Sequence, residues 1–425
     1  MRVLVISRNA WDDTNSVGNT LSNFFQNLKD VEFANIYFRS SKPNNNVCKR
    51  YYRITEFEVI KKWFAPSKIG KEFLWTKEQG SKDSSISAID EKKIIRLIHK
   101  YGIKTAYKIS NRIWYSRKWL NTNLDKFIES FSPDLVVSFV KSAPQYFMTI
   151  KYLREKFHIP LFSWIADDEY TTLSKNSQIR EIENLEYILR ESAVVRGCSE
   201  EICEYYNSVF GCKAVPLYKG CTLSARRKTT TNNPIKIAYA GNLLYGRLDV
   251  IKKISEAIEK YTPESYGVRF EIYSNTPLSS EYQSYFDSTR YTEYMGQRDY
   301  EIIKQRLSES DIVLHAESFD NAQIIKTKYS FSTKIIDCLQ CGSVLLAVGP
   351  SELSSIKYVK KIPGAFVIEK LDCLEKDLLS MLNETATFGE RAEAIGAFAK
   401  SYHDESINSI ELMNTFLKIT KKGGD

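Results

Sequence analysis

Strand and helix signals alternate along this chain, break off at one polar, basic stretch, and then start again. Short, mostly apolar runs at 3–6, 31–38, 135–140, 160–166, 193–198 and 214–217 read as strands, because a strand covered on both faces reads as a near-continuous apolar run rather than alternation. Helical patterns lie between some of them, such as Thr20, Leu21, Phe24, Phe25 and Leu28. The stretch Ser224-Ala225-Arg226-Arg227-Lys228-Thr229-Thr230-Thr231-Asn232-Asn233-Pro234 has linker composition. From 235 the pattern resumes, with strands at 235–240, 270–273, 312–315, 344–348 and 365–368. A helix there carries Val250, Ile251, Ile254, Ile258 and Tyr261 on one face, and a last helix near 405–419 carries Ile407, Ile410, Met413, Phe416 and Leu417. Alternating elements of this kind form doubly wound parallel sheets. A chain of 425 residues exceeds what one core usually serves, so two such domains are expected.

Composition narrows the class. Hydrophobic residues make up 43% and charged residues 26%, the values of a globular protein. Met1-Arg2 leads at once into Val3 to Ile6, too short for a signal-peptide core, and no apolar stretch reaches the roughly 18 residues of a spanning helix. A cytoplasmic chain is therefore expected. Without an export signal the eight cysteines are expected to be small buried thiols rather than a disulfide framework. Cys338 and Cys341 have the spacing of half a metal site, but no second such pair exists and the four histidines are scattered, so no metal is expected. The Gly-x-x-x-x-Gly-Lys loop of nucleoside triphosphatases, a Gly-x-Gly-x-x-Gly after a strand and a Gly-x-Ser-x-Gly elbow are all missing.

Phe331 to Pro350 is the stretch richest in chemistry. Ser332 and Thr333 are capping-type residues ahead of Ile335, Ile336 and Leu339 at helical spacing, Gly342 stops the helix, and Val344 to Val348 is a buried strand. Lys334 and Asp337 lie three apart and so share a face of the first turn. A helix start with two hydroxyls and a lysine suits a phosphate, and a carboxylate one turn on suits a ribose diol.

The window Ser332-Thr333-Lys334-Ile335-Ile336-Asp337, then Gly342, then Leu345-Leu346-Ala347-Val348-Gly349-Pro350, resembles the nucleotide-sugar motif of GT-B glycosyltransferases, especially bacterial ones related to family 4. The resemblance covers about twenty residues. It implies an α/β GT-B fold, two Rossmann-like doubly wound parallel-sheet domains facing a cleft. It also implies that Asp337 holds the donor ribose, and that the last helix crosses back to the first domain. The expected organisation is an acceptor-side domain over 1–222, a linker over 223–234, a nucleotide-sugar domain over 235–400 and a crossing helix over 401–425.

Ligands in open parallel sheets bind beyond the carboxyl ends of the strands, so the loops after strands supply the remaining candidates. Gly241 and Gly246 flank one such loop and permit close backbone approach; Arg247, at its end, can grip a diphosphate with its fork of donors. The resembling family carries an Arg beside the glycine and a Lys further on; here those positions look like Asn242 and Arg247, and Lys252 is a candidate to compensate for the lost cation. The family's paired glutamates, eight apart, are incomplete, because Tyr329 stands eight before Asp337. Glu317, after the strand at 312–315, is the candidate for the first acid, while His315 reads as a strand-end histidine.

In the first half, Ser7 to Thr20 follows the first strand. Gly18 fits the glycine that opens the family's first helix, and Asp12 or Asp13 is either an acceptor-side carboxylate or a cap. Asp167, Asp168 and Glu169 follow another strand; three acids there are costly unless solvated, paired or used. They read as an acceptor-contacting loop, with a plain solvated loop and a divalent-metal Asp-x-Asp site as the alternatives.

Residues 49–120 hold 18 Lys and Arg against 7 Asp and Glu, a net +11 when the whole chain is only +8. Four of the six tryptophans, Trp63, Trp75, Trp114 and Trp119, fall in this window. With Ile94, Ile95, Ile98, Tyr101 and Tyr107 at near-helical spacing, it has the profile of an interfacial segment on an anionic membrane surface. A solvated basic face over ordinary core is the plainer alternative. No nucleic-acid motif accompanies it, so no nucleic-acid partner is expected.

The expectation is a metal-independent glycosyltransferase without a cofactor. It would move a sugar from a nucleotide diphosphate sugar to a saccharide or polyprenyl-linked acceptor for surface polysaccharide, probed through Arg247, Lys334, Asp13 and Asp168 as catalytic candidates. Gly18, Gly241, Asn242, Lys252, Glu317, Ser332, Thr333 and Asp337 are the donor-binding candidates. A retaining reaction needs no dedicated base; an inverting one would draw it from Asp12, Asp13, Asp167 or Asp168. The alternatives are a GT-B-fold nucleotide-sugar epimerase and a catalytically silent scaffold that binds a partner transferase.

Overall fold

Val3 to Ile6, fully buried, run through the middle of the first of two sheets in the computed structural model, which describes residues 1–62, 64–76, 103–176, 178–223, 231–260 and 267–422. The chain forms two compact units, residues 1–217 with 406–425, and residues 218–405.

The first unit holds an eight-stranded sheet: β1 Arg2–Ser7, β2 Glu32–Tyr37, β3 Arg50–Arg53, β4 Lys71–Leu74, β5 Leu135–Phe139, β6 Leu161–Ile165, β7 Ser192–Gly197 and β8 Val215–Pro216. Their order is β4-β3-β2-β1-β5-β6-β7-β8, parallel except for the antiparallel edge strand β4. Strand order reverses between β1 and β5, the place where such sheets bind ligands. The helix Ser16–Phe25 opens on Asn15, whose side chain accepts from the Gly18 amide at 2.9 Å. A Cβ on Gly18 would lie 2.0 Å from the Asp12 carbonyl oxygen, so only glycine lets the helix and the preceding loop pack this closely. Trp11 Nε1 donates to Ser22 Oγ (2.8 Å), and Ser22 Oγ donates to Asp13 (2.6 Å), tying loop to helix.

The second unit holds a six-stranded, wholly parallel sheet: β9 Ile235–Ala240, β10 Val268–Tyr273, β11 Thr292–Gly296, β12 Ile312–Ala316, β13 Val344–Val348 and β14 Phe366–Ile368, in the order β11-β10-β9-β12-β13-β14. Its reversal point lies between β9 and β12. Val250, Ile251, Ile254 and Ile258 of the helix Arg247–Lys260 pack into its core beside Ile237, Ile272 and Leu346. At about 25 cal/mol per Å² of apolar surface removed from water, this face of the helix is what holds it to the sheet.

Three strands escape the sequence pattern. β3 is flanked by arginines, β4 is an edge strand with exposed Lys71, Glu72 and Leu74, and β11 is a half-exposed edge strand. None offers the unbroken apolar run of a covered strand. The last helix, Glu405–Lys422, buries only part of the expected stripe: Phe416 is buried, joined by Leu412 and Ile419, while Ile407 and Ile410 are 53% and 62% exposed. Phe416 packs on Phe25 and Phe162, with ring centroids 6.1 and 5.4 Å away.

The tryptophans of the basic segment do not all face outward. Trp114 and Trp119 are core residues, edge to face at 5.2 Å, and Trp119 Nε1 donates to the Trp114 carbonyl (2.8 Å). Trp63 and the apolar positions Ile94, Ile95, Ile98 and Tyr101 lie outside the described residues, as do Tyr261 and the linker residues 224–230. No helix among the described residues is long and apolar enough to cross a membrane. All eight cysteines are free.

Candidate functional site

The reversal point of the second sheet gathers charged side chains of both signs, Arg247, Glu317 and Lys334. β9 ends in the loop Gly241 to Gly246, and β12 ends in Glu317 and Ser318. Tyr239, near the end of β9, donates from its hydroxyl to the Asn242 carbonyl (2.7 Å) and so shapes the loop. Tyr245 holds a left-handed backbone (φ 59°), followed by Gly246 at φ 73°. Such a conformation is costly for a residue with a Cβ and collects at functional loops.

Arg247 turns back from the start of its helix onto Glu317. Its Nε and Nη2 reach the two carboxylate oxygens at 2.9–3.1 Å, while Nη1 donates to Asn242 Oδ1 at 3.0 Å. The Glu317 side chain is 4% exposed and that of Arg247 14%, so the pair is almost out of water. His315 Nε2 lies 3.3 Å from Glu317 Oε1. Burial pushes the Glu317 carboxyl up, but His315 and Arg247 outweigh it and hold the group below its usual range.

Lys334 opens the short helix Lys334–Leu339 on the far side of this loop. A Cβ on Gly241 would lie 2.6 Å from Lys334 Nζ, so the missing side chain is what admits the ammonium. Burial, and then the charge of Arg247, pull the Lys334 ammonium down to about 8. Two cations thus converge at the carboxyl ends of β9 and β12, and each raises the cost of the other's charge.

Asp337, one turn on, is not free. The buried Lys219 ammonium binds its Oδ1. Lys219 is itself fixed from behind: its carbonyl accepts from His403 Nδ1 (3.1 Å). Burial draws the His403 ring down to about 4, which leaves it neutral, so Nε2 accepts from the Tyr358 hydroxyl. Lys219 follows the last strand of the first half and has no motif or periodicity around it. Its partner stands 118 residues away, which is why sequence reasoning missed it.

Other expected residues are placed differently. Ser332 and Thr333 do not cap their helix: Thr333 has helical backbone and no capping bond, and the Ser332 amide donates to Ser355 Oγ at 3.2 Å. Their backbone carbonyls accept from Ile335 and Ile336 instead. Lys252 faces away from the Arg247 group. It lies 5.0 Å from the centre of the Tyr285 ring and 3.9 Å from Glu256. Cys338 and Cys341 are buried thiols, pushed up by burial.

In the first unit, the loops at the reversal of strand order hold Asp12, Asp13 and, beyond β6, the acidic run. Asp12 accepts from the Thr14 amide and hydroxyl, and Asp13 from Ser22. Asp168 accepts from the Thr171 amide (3.2 Å) and the Tyr206 hydroxyl (3.4 Å). Lys141 lies 3.3 Å from Asp167 and 3.0 Å from Glu169, and Glu169 also accepts from the Ser142 amide. Burial lowers the Lys141 ammonium, but the two carboxylates outweigh it and raise it. The acidic run is thus partly solvated and partly paired: Asp167 is exposed, and Asp168 and Glu169 are half-buried. Among the described residues no three His, Cys, Asp or Glu side chains group as metal ligands do.

No protein-family model matches the chain, and no curated protein matches it in sequence. Solved structures match along its whole length. HepE from Anabaena, in complex with UDP and glucose, aligns with a TM-score of 0.62 at 10% identity, covering 98% of this chain and 100% of that one. The sucrose-phosphate synthase of Thermosynechococcus elongatus aligns at 0.65 with 9% identity, covering 99% and 100%. An α,α-trehalose-phosphate synthase (UDP-forming) from Burkholderia xenovorans, in complex with glucose-6-phosphate, aligns at 0.59 with 9% identity, covering 98% and 100%. At such identities the likeness establishes the fold, which is GT-B.

Proposed function

We propose that this chain is a glycosyltransferase that moves a sugar from a nucleotide diphosphate sugar to an acceptor. The observation that carries the proposal is the convergence of Arg247 and Lys334 at the reversal point of the second sheet. A diphosphate placed between them relieves their repulsion, and the same two cations stabilise the charge that builds on the leaving diphosphate as the sugar–phosphate bond breaks. Glu317 holds the Arg247 fork in place. Lys219 engages Asp337 Oδ1 and orients the carboxylate, so that Oδ2 meets a ribose hydroxyl. With side-chain cations in this position, the reaction is proposed to run without a divalent metal.

Uridine nucleotides are the first donors to try, because two of the structural neighbours are described as complexed with UDP or as UDP-forming. A retaining course is proposed on the resemblance of the window from Ser332 to Pro350 to family-4 enzymes; an inverting one would draw its base from Asp12, Asp13, Asp167 or Asp168. The acceptor is proposed to be a saccharide, free or polyprenyl-linked, for surface polysaccharide. The net +11 of residues 49–120 supports attachment to the inner membrane face during that reaction.

A silent scaffold is the second reading. It is favoured by Asn242 in place of an arginine and by an Arg247 fork already occupied by Glu317. The two separate when nucleotide-diphosphate release is measured from UDP-, GDP-, CDP- and TDP-sugars, with and without saccharide acceptors. The transferase releases nucleotide from one donor family, faster with its acceptor. A chain that binds and turns over none of them is a scaffold, and one that alters the donor sugar without an acceptor is an epimerase.

A further inference from the structure

We propose that the outer edge of β7 is the docking site of an extended, acidic segment of a partner protein. β8 pairs with β7 only at Arg196 and Gly197. The edge from Ser192 to Val195 therefore has no strand neighbour among the described residues. Such an edge is a ready template for one more strand.

A cavity of 780 Å³ lies along this edge, walled by the last turns of the helices Ile179–Glu191 and Glu200–Phe210 and by Thr415 of the last helix. Val194, Val209 and Phe210 line it, and Val215, half exposed, stands at its rim. This cavity gives apolar side chains of an incoming strand a place to bury. Arg190, Lys213 and Lys418 border the same space against a single acid, Glu186. Lys213 and Lys418 enter no ion pair among the described residues, whereas Arg196 is already held by Glu411 at 2.6 Å.

Charge selects the occupant. A second copy pairing edge to edge would bring its own Lys213 and Lys418 against these, and like charges across a strand pair are destabilising. A nucleotide or a lipid headgroup satisfies the lysines but offers no ladder of backbone donors and acceptors to the strand. A segment that alternates apolar and acidic residues satisfies both.

The test uses the full chain and a fluorescein-labelled peptide alternating valine with glutamate, beside a counterpart with lysine for glutamate, in an anisotropy titration. The glutamate peptide is expected to bind, and the double variant Lys213→Glu, Lys418→Glu to weaken it at least ~10-fold while admitting the lysine peptide. Hydrogen exchange is expected to slow within Ala193 to Val195 when the glutamate peptide is bound; the Ser192 amide already donates to the Leu189 carbonyl. Failure of the glutamate peptide to bind, equal affinity for both peptides, or protection elsewhere overturns the proposal. So does a dimer in sedimentation that already protects this edge, or an anionic phosphatidylserine vesicle that protects it as well. No readout depends on glycosyl transfer, so the proposal stands or falls apart from it.

Discussion

Arg247→Ala is expected to cost about 3–5 kcal/mol of stability, because it strands a buried carboxylate. Glu317 is 4% exposed, and without the guanidinium it keeps His315 at 3.3 Å and the more distant charge of Lys334. The variant should melt well below the wild type, and its Glu317 should take up a proton on folding. The pair Arg247→Met, Glu317→Leu removes both charges. It is expected to recover most of the lost stability, since a buried ion pair is often no more stabilising than apolar residues of similar volume. Transfer activity separates a structural role from a chemical one. If Arg247 acts on the diphosphate, the stable double variant stays slow, with kcat/KM down by roughly 10²–10³, the range for losing one charge-stabilising donor. Recovery of activity along with stability would make the pair purely architectural.

Lys334→Met is expected to move stability and function in opposite directions. The Lys334 ammonium titrates near 8 in the fold, against an ordinary value of 10.5. A lysine whose folded value is depressed costs stability wherever the unfolded chain is protonated. That cost is full below about pH 8 and fades as pH rises towards the unfolded value. Removing the charge should therefore raise ligand-free stability at pH 7 by roughly 1–3 kcal/mol. The same change removes a cation from the diphosphate site, so nucleotide affinity should fall. In the wild type, affinity should weaken as pH rises through about 8, where Lys334 loses its proton. Lys334→Arg, which stays charged, should shift that break to higher pH. An unchanged pH profile in Lys334→Met would remove Lys334 from the site. A stabilised, poorly binding variant is the trade expected of a strained functional group.

The fold was legible where covering is two-sided. Val3 to Ile6 and Val344 to Val348 announce themselves because a strand buried on both faces reads as a near-continuous apolar run. β3, β4 and β11 were not, because edge and near-edge strands mix charged and aromatic residues. The last helix shows the limit of reading a stripe from apolarity alone. Phe416 meets the core as read, but Ile407 and Ile410, which continue the apolar pattern, are exposed, and Leu412 and Ile419 are buried in their stead.

At the candidate site, loop residues after strands came together as strand order requires: Asn242, Arg247 and Glu317 all fall at one reversal point. Lys252 did not join them, because five residues along a helix turn a side chain about 140° away. Ser332 and Thr333 had the chemistry of caps, but the helix starts at Lys334 with Thr333 already in helical backbone. Lys219 and His403 were invisible, since an ion pair and a ring that join distant segments leave no local spacing to read. Gly18 and Gly241 were legible as glycines, but what each makes room for, a carbonyl in one case and an ammonium in the other, is a fact of packing.

A nucleotide diphosphate is proposed to bind at the carboxyl ends of β9 and β12. Calorimetric titration of UDP, GDP, CDP and TDP into the wild type and into Lys334→Met tests it most directly. Binding of one nucleotide, weakened by at least ~10-fold in the variant as the loss of a cation at a charged contact requires, is the expected result. Binding of none of them, or equal binding to both proteins, would contradict it.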